Sequence, residues 1–157
     1  MEPQAVYWTG IPVNKLDIKV KYFNKELIPL EMLEQGDWID LRASEDIGMF
    51  KGDFKLIPLG VAIQLPPGFE ALVVPRSSTF KRSGVMQANS MGVIDNSYCG
   101  NNDQWYFPAI AMRDTTIRQN DRICQFRLIE NQVSLNFKTV DTLDGKNRGG
   151  FGSTGVQ

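Results

Sequence analysis

The sequence predicts an all-β fold, a sandwich or jelly-roll-like barrel, on three observations. Apolar and polar residues alternate with period two in several short runs. Pro, Gly, Asn and Asp separate those runs at short intervals, as tight turns require. No run carries a 3.6-residue period long enough for a substantial helix, and no internal repeat of 20–50 residues is visible. With 157 residues the chain suits one domain that buries a full core without disulfides.

Taken in order, residues 1–14 show no clear period and read as an irregular lead-in. Leu16–Tyr22 alternates strictly and predicts a half-buried strand. Pro29 argues against a helix in the apolar run that follows. Gly36–Ala43 predicts a short strand with Asp40 between apolar neighbours, and Ser44–Asp53 a loop. Phe54–Gln64 predicts one strand, bent at Pro58 or Gly60. Pro66-Pro67-Gly68 is a turn, and Glu70–Val74 returns as a strand that Pro75 stops.

Ser77–Arg82 has room for one or two helical turns, and Val85–Met91 and Trp105–Met112 predict further strands. Asp121–Ile129 alternates, with Ile123, Gln125, Arg127 and Ile129 on one face and Cys124, Phe126 and Leu128 on the other. Val133–Val140 reads as a last strand. The expected organisation is a lead-in over 1–14, a β domain over 15–140 and a glycine-rich stretch over 141–157.

Composition removes several chemistries. There is no histidine, so neither Ser-His-Asp nor Cys-His catalysis is available. Two isolated cysteines cannot build a zinc cage without it. A hydrolase built from these residues takes a carboxylate base and an oxygen-liking ion such as Mg²⁺. Net charge is −1, so nothing global points to nucleic acid or an anionic membrane. Two unpaired cysteines, no basic-then-apolar leader and no run of about 20 apolar residues fit a cytoplasmic protein.

Four stretches have the residue types for binding or chemistry. In Gly92-Val93-Ile94-Asp95-Asn96-Ser97-Tyr98 an apolar strand ends in Asp95, with an aromatic three positions on. Such an aspartate is a turn residue or a ligand-facing carboxylate on a rigid strand. Pro75-Arg76-Ser77-Ser78 comes directly off a strand and offers a guanidinium fork with two hydroxyls to a phosphate; its serines would equally cap a short helix. Arg148–Gly155 is glycine-rich and suits phosphate wrapping, with Phe151 to stack on a base; the alternative is a disordered tail. Asp40 stands out within the acidic 37–46 segment because Ile39 and Leu41 flank it.

These pieces, with Asp121-Arg122-Ile123-Cys124-Gln125, resemble the five ordered motifs of the trimeric deoxyuridine triphosphatases (dUTPases). The first is Asp37–Ala43, the second Pro75–Ser78 with Gly84-Val85, the third Gly92–Gly100, the fourth Asp121–Gln125 and the fifth Arg148–Gly155. The likeness spans 16–157, and Gln35-Gly36-Asp37-Trp38 is closest to members from Gram-positive bacteria and their phages. It implies a jelly-roll homotrimer whose sites draw on several subunits, with the 141–157 arm closing over a neighbour's site. It also implies hydrolysis of dUTP to dUMP and pyrophosphate with Mg²⁺.

The resemblance assigns roles by position. Asp95 would be the base that activates water against the α-phosphorus, and Gln125 would help place that water. Tyr98 would pack under the deoxyribose. Asn89, with the backbone of Gly92, Val93, Ile94 and Asp95, would read uracil. Arg76, Ser77 and Ser78 would bind phosphates. Phe151 would stack on the base, with Gly152, Ser153 and Thr154 around the γ-phosphate. Asp40 would meet the metal through water.

Two departures from the family pattern stand out. The fifth-motif arginine usually lies five residues before the phenylalanine; here that position is Lys146, and Arg148 lies three before, so either could meet the γ-phosphate. Residues Asn101–Trp105 follow Gly100 where the family commonly enters a strand. Two alternatives accompany the leading reading. A dCTP deaminase of the same fold needs a glutamate after the third motif, and Trp105–Arg113 has none. A nucleotide-responsive regulatory binder would present a protein partner with a surface such as 1–14 or 101–105.

Overall fold

The structure, a computed structural model, describes residues 15–150. Among these the chain forms eleven strands and one short helix, so the all-β expectation holds. In order they are β1 (Lys19–Tyr22), β2 (Ile39–Arg42), β3 (Ile47–Met49), β4 (Phe54–Pro58), β5 (Val61–Gln64) and β6 (Phe69–Pro75). Then come α1 (Thr79–Ser83), β7 (Val85–Gln87), β8 (Gly92–Ile94), β9 (Tyr106–Ala111), β10 (Thr115–Ile117) and β11 (Arg122–Glu130). A four-stranded antiparallel sheet runs β2-β11-β6-β8 and a three-stranded one β4-β9-β7; β1-β5 and β3-β10 add two ribbons. No helix among the described residues is long and apolar enough to cross a membrane.

Two of the expected elements are reshaped by one residue each. Phe54–Gln64 is not one bent strand: it splits at Leu59-Gly60, β4 pairing with β9 and β5 with β1. Gly60 makes the change of sheet with φ 68°, and a Cβ there would come within 2.6 Å of the Ser44 Cβ. Val85–Met91 stops early, at Gln87, and Ser90 turns the corner at φ 62°. That corner carries the chain from the three-stranded sheet into the four-stranded one.

Two three-residue strands, β3 and β10, escaped the sequence pattern. They pair with each other, Thr116 opposite Gly48, and three residues are too few to show a period. In the other direction, Val133–Val140 forms no strand. Residues 130–150 are all exposed, including Val133, Leu135 and Phe137 at alternate positions. The alternation has strand character, but no edge among the described residues pairs with it.

The core is centred on Trp105, Phe107 and Phe126, with Leu41, Ile57, Leu59, Ile63 and Ile117 around them. Trp105 meets Phe126 edge to face, ring centroids 5.3 Å apart. β11 departs from simple alternation at its start. A register shift between Arg122 and Cys124 buries Ile123 and Cys124 together, where alternation would put them on opposite faces. Burial pushes the Cys124 thiol well above its ordinary pKa, and nearby Asp40 adds to this, so it is an inert apolar filler.

The helix α1 exists because its ends are tied. Gly84 closes it at φ 62°, its N–H donating to the Phe80 carbonyl at 2.8 Å. Arg113 donates to the Lys81 and Arg82 carbonyls, which have no intrahelical partner. At the other end Ser78 takes the cap position without a side-chain capping bond. Thr79, 2% exposed, does the anchoring: its hydroxyl accepts from the Arg76 N–H at 2.9 Å and donates to the Ile123 carbonyl at 2.8 Å.

Candidate active site

The four-stranded sheet brings three of the sequence motifs together at one end. Gln125 on β11 lies opposite Asp40 of β2 on one side and Val74 of β6 on the other. Its amide nitrogen donates to the Pro75 carbonyl at 3.1 Å, fixing the point where β6 releases Arg76. Arg76 then folds back, Nε to Asp40 Oδ1 at 2.7 Å. Arg122 takes the other oxygen, Nη1 to Asp40 Oδ2 at 3.2 Å. The Asp40 side chain is 18% exposed, so these contacts are shielded and directional.

Around this pair the charge is positive. A polar cleft of ≈ 360 Å³ is lined by Arg42, Arg76, Arg82 and Arg122, with Ser78 and Thr79. Burial, and then the neighbouring Arg122, lower the Arg42 pKa; Asp40 pulls the other way. Cations crowded to this degree are relieved by an anion with several oxygens. An apolar cleft formed by Phe80, Val85, Met86 and Ser90 flanks Arg76 as well.

Asp95 sits in a different local setting. It follows β8 and is exposed. Its Oδ1 accepts both the Ser97 N–H and the Ser97 hydroxyl, each at 2.7 Å. These two bonds, the backbone one first, hold the carboxyl pKa below its ordinary value. Asn96 pins the loop from behind, its amide donating to the Leu65 and Pro66 carbonyls. Tyr98 is held by its hydroxyl, which donates to the Gln104 carbonyl at 3.0 Å. Desolvation, then Asp103 and Tyr106, raise the Tyr98 pKa, so it stays a neutral phenol.

The departure after Gly100 therefore has a structural job. Asn101–Gln104 makes a turn closed on itself by Asp103, whose carboxylate accepts the Gly100 N–H at 2.7 Å. That turn supplies the Tyr98 anchor and feeds Trp105 into the core.

The two groups do not meet within one chain. Ala71 of β6 pairs with Ile94, so Asp95 emerges level with Glu70. Arg76 lies six residues further along, at about 3.3 Å each, which sets Asp95 about 20 Å from it. A triphosphate chain cannot span that while its α-phosphorus is next to Asp95.

A model of the dUTPase family matches residues 38–155. The chain belongs to the dUTPase family. The SPbeta prophage-derived deoxyuridine 5'-triphosphate nucleotidohydrolase YosS of Bacillus subtilis (strain 168) is 56% identical over 142 residues, 90% of this chain and 100% of that protein. A variant of the Staphylococcus bacteriophage 80alpha dUTPase with dUpNHpp superposes at TM-score 0.74, 17% identical, over 90% of this chain and 100% of that one. A variant dUTPase from phage phi11 of S. aureus, described for its coordination of a structural Mg(II) ion, superposes at 0.71, 14% identical, over 83% and 100%. The fold is that of the dUTPase jelly roll.

Within this dUTPase family member, Asp40, Arg76, Ser77, Ser78 and Gln125 gather at one end of the sheet, and Asp95 and Tyr98 stand at the other. Gly92 is buried, while Val93 and half-buried Ile94 lead outward to Asp95. Lys146 and Arg148 are both exposed. Phe151, Gly152, Ser153 and Thr154 lie outside the described residues. Sequence reasoning gave no role to Thr79, Arg42 or Arg122. Thr79 and Arg42 leave no sequence signal, being ordinary helix-start and strand-end residues. Arg122 does leave one: it precedes a buried strand pair that includes Cys124, and a charge there needs a partner.

Mg²⁺, which the family implies, can be weighed against the residues present. Among the described residues no group of three or more His, Cys, Asp or Glu is placed to hold a metal ion. Both oxygens of Asp40 already receive a guanidinium. This donor set fits an ion carried by phosphate oxygens and water, which Asp40 would meet through water.

Proposed function

We propose that this chain hydrolyses dUTP to dUMP and pyrophosphate, in sites shared between the copies of a homotrimer. Family membership supports the reaction, and the observation that carries the shared site is the separation of Asp95 from Arg76 along β6. A second copy that sets its Asp95 beside this copy's arginine cleft supplies both halves at once.

Arg76, Ser77 and Ser78 hold the phosphates, with Arg122 and Asp40 fixing the Arg76 fork. Phosphoryl transfer needs this positioning and charge balance more than covalent help. Asp95 uses its free Oδ2 to orient water in line with the α-phosphorus, since Oδ1 is committed to Ser97. Gln125 completes the placement. The water oxygen bonds to the α-phosphorus as the bond to the bridging oxygen breaks; the proton passes to Asp95 and pyrophosphate leaves with the electron pair. Mg²⁺ bound with the substrate would neutralise developing charge on the phosphates, and Asp40 would hold it through water.

Asn89 and the backbone of 92–95 face uracil, and Tyr98 packs against the deoxyribose. The arm over 141–157 brings Arg148 or Lys146 to the γ-phosphate and Phe151 over the base, with Gly152, Ser153 and Thr154 beside it. The free thiols, one exposed and one buried, suit the reducing cytoplasm. Pyrophosphate release measured with dUTP, dTTP, dCTP and UTP tests the reading: dUTP alone should turn over rapidly. Ammonia release from dCTP would overturn it in favour of a deaminase.

A further inference from the structure

Gln87 is the last residue of β7, 8% exposed, and nothing in the reaction above uses it. Its amide is unusual in how it is bonded. Nε2 donates one hydrogen to the Val73 carbonyl at 3.1 Å and the other to Asn89 Oδ1 at 3.0 Å. Oε1 is buried with no partner among the described residues. A buried acceptor left unpaired is a cost that leucine or methionine would not carry. The gain from glutamine at this position is therefore at its nitrogen.

The bonding also fixes orientation. A main-chain carbonyl can only accept, so Val73 dictates that the nitrogen of Gln87 faces it. The second hydrogen on that nitrogen then dictates that Asn89 turns its oxygen inward. The Asn89 nitrogen, on the opposite branch of the same amide, is left for the exposed side. The amide lies against the start of β8, since a Cβ on Gly92 would be 3.5 Å from Nε2.

The geometry points to Gln87 as a specificity-positioning residue that locks the Asn89 amide with its N–H₂ toward the base. This rests on the reading of Asn89 as a contact to uracil. Uracil presents a carbonyl acceptor at C4 and cytosine an amine donor. A locked donor favours the first and opposes the second, whereas an amide free to rotate would serve both. Selectivity at C4 is thus set two residues from the contact, by a backbone carbonyl on a neighbouring strand.

The test compares kcat/KM for dUTP and dCTP in the full-length enzyme. In Gln87→Met the preference for dUTP should fall about tenfold, the size of one discriminating hydrogen bond, with the change mostly in KM. Gln87→Glu should lower it further, because a carboxylate draws the Asn89 nitrogen inward and turns its oxygen out toward an amine. Asn89→Ala should also lower it. A preference within about twofold of the parent in both Gln87 variants, with Asn89→Ala impaired, overturns the lock while keeping Asn89 as a base contact. An unchanged preference in Asn89→Ala removes the base contact and the lock together. In the parent protein, NMR should show both Gln87 Nε2 hydrogens protected from solvent exchange; fast exchange of either overturns the proposal without any variant.

Discussion

Arg76 Nε lies 2.7 Å from Asp40 Oδ1, a contact made between the end of β6 and the outer strand β2 across β11. Arg122 takes the opposite oxygen. Asp40→Asn would leave Arg76, Arg122 and Arg42 facing one another with no charge between them. We expect a stability loss of about 1 kcal/mol, partly recovered at high salt, and a raised KM for dUTP. Urea unfolding at two salt concentrations, beside steady-state kinetics, checks both.

Thr79→Val keeps shape and removes one hydroxyl. The Arg76 N–H would lose its acceptor and the Ile123 carbonyl its donor, both at a residue 2% exposed. The expected loss is about 1–3 kcal/mol, with reduced kcat/KM because Arg76 departs from a looser backbone. A thermal shift with unchanged kinetics would mean that Arg76 needs no such anchor.

Asp95→Asn should cost little stability, since Asp95 is exposed and asparagine still offers Ser97 an acceptor, and lower kcat by about 10²–10⁴. A non-hydrolysable dUTP analogue should still bind. Retained turnover would assign the water to another group.

The acid limb of kcat/KM should fall below the ordinary carboxylate value of about 3.9, because the Ser97 bonds stabilise ionised Asp95. Ser97→Ala removes the hydroxyl bond, so the limb should move up toward the ordinary value, with the rate at neutral pH nearly retained. The same sign holds for folding: this contribution is present above the unfolded pKa and is lost as pH falls through the folded one. A pH–rate profile over the folded range, checked by circular dichroism, decides it.

If Asp95 and Arg76 act from different copies, inactive Asp95→Asn and Arg76→Ala chains should complement each other. Refolded as an equal mixture, roughly one site in four combines an intact Arg76 with an intact Asp95, so about a quarter of parental activity should return. No recovery in mixed trimers would place both residues in one copy's site.

Much of this was legible in the sequence for a physical reason. Long alternating strands such as β11, and turns such as Pro66-Pro67-Gly68, announce themselves by local chemistry. Motif spacing marked Asp40, Arg76, Asp95 and Gln125. Three things depended on non-local contacts. The split at Gly60 follows from which sheets were free to accept each half. The ribbon β3-β10 joins residues far apart in the chain. Val133–Val140 has the pattern of a strand without an edge to pair with among the described residues, and pattern alone cannot supply the edge.

The length of β6 has one more consequence. Six residues of strand keep Asp95, the proposed water-orienting carboxylate, from Arg76, the proposed phosphate-holding arginine, in any single copy. With sites shared as proposed, a newly made chain would be silent until it finds others, and specific activity should drop on dilution instead of staying constant. At low expression, rate should then climb more steeply than protein amount, and the strand would set a threshold in cellular dose.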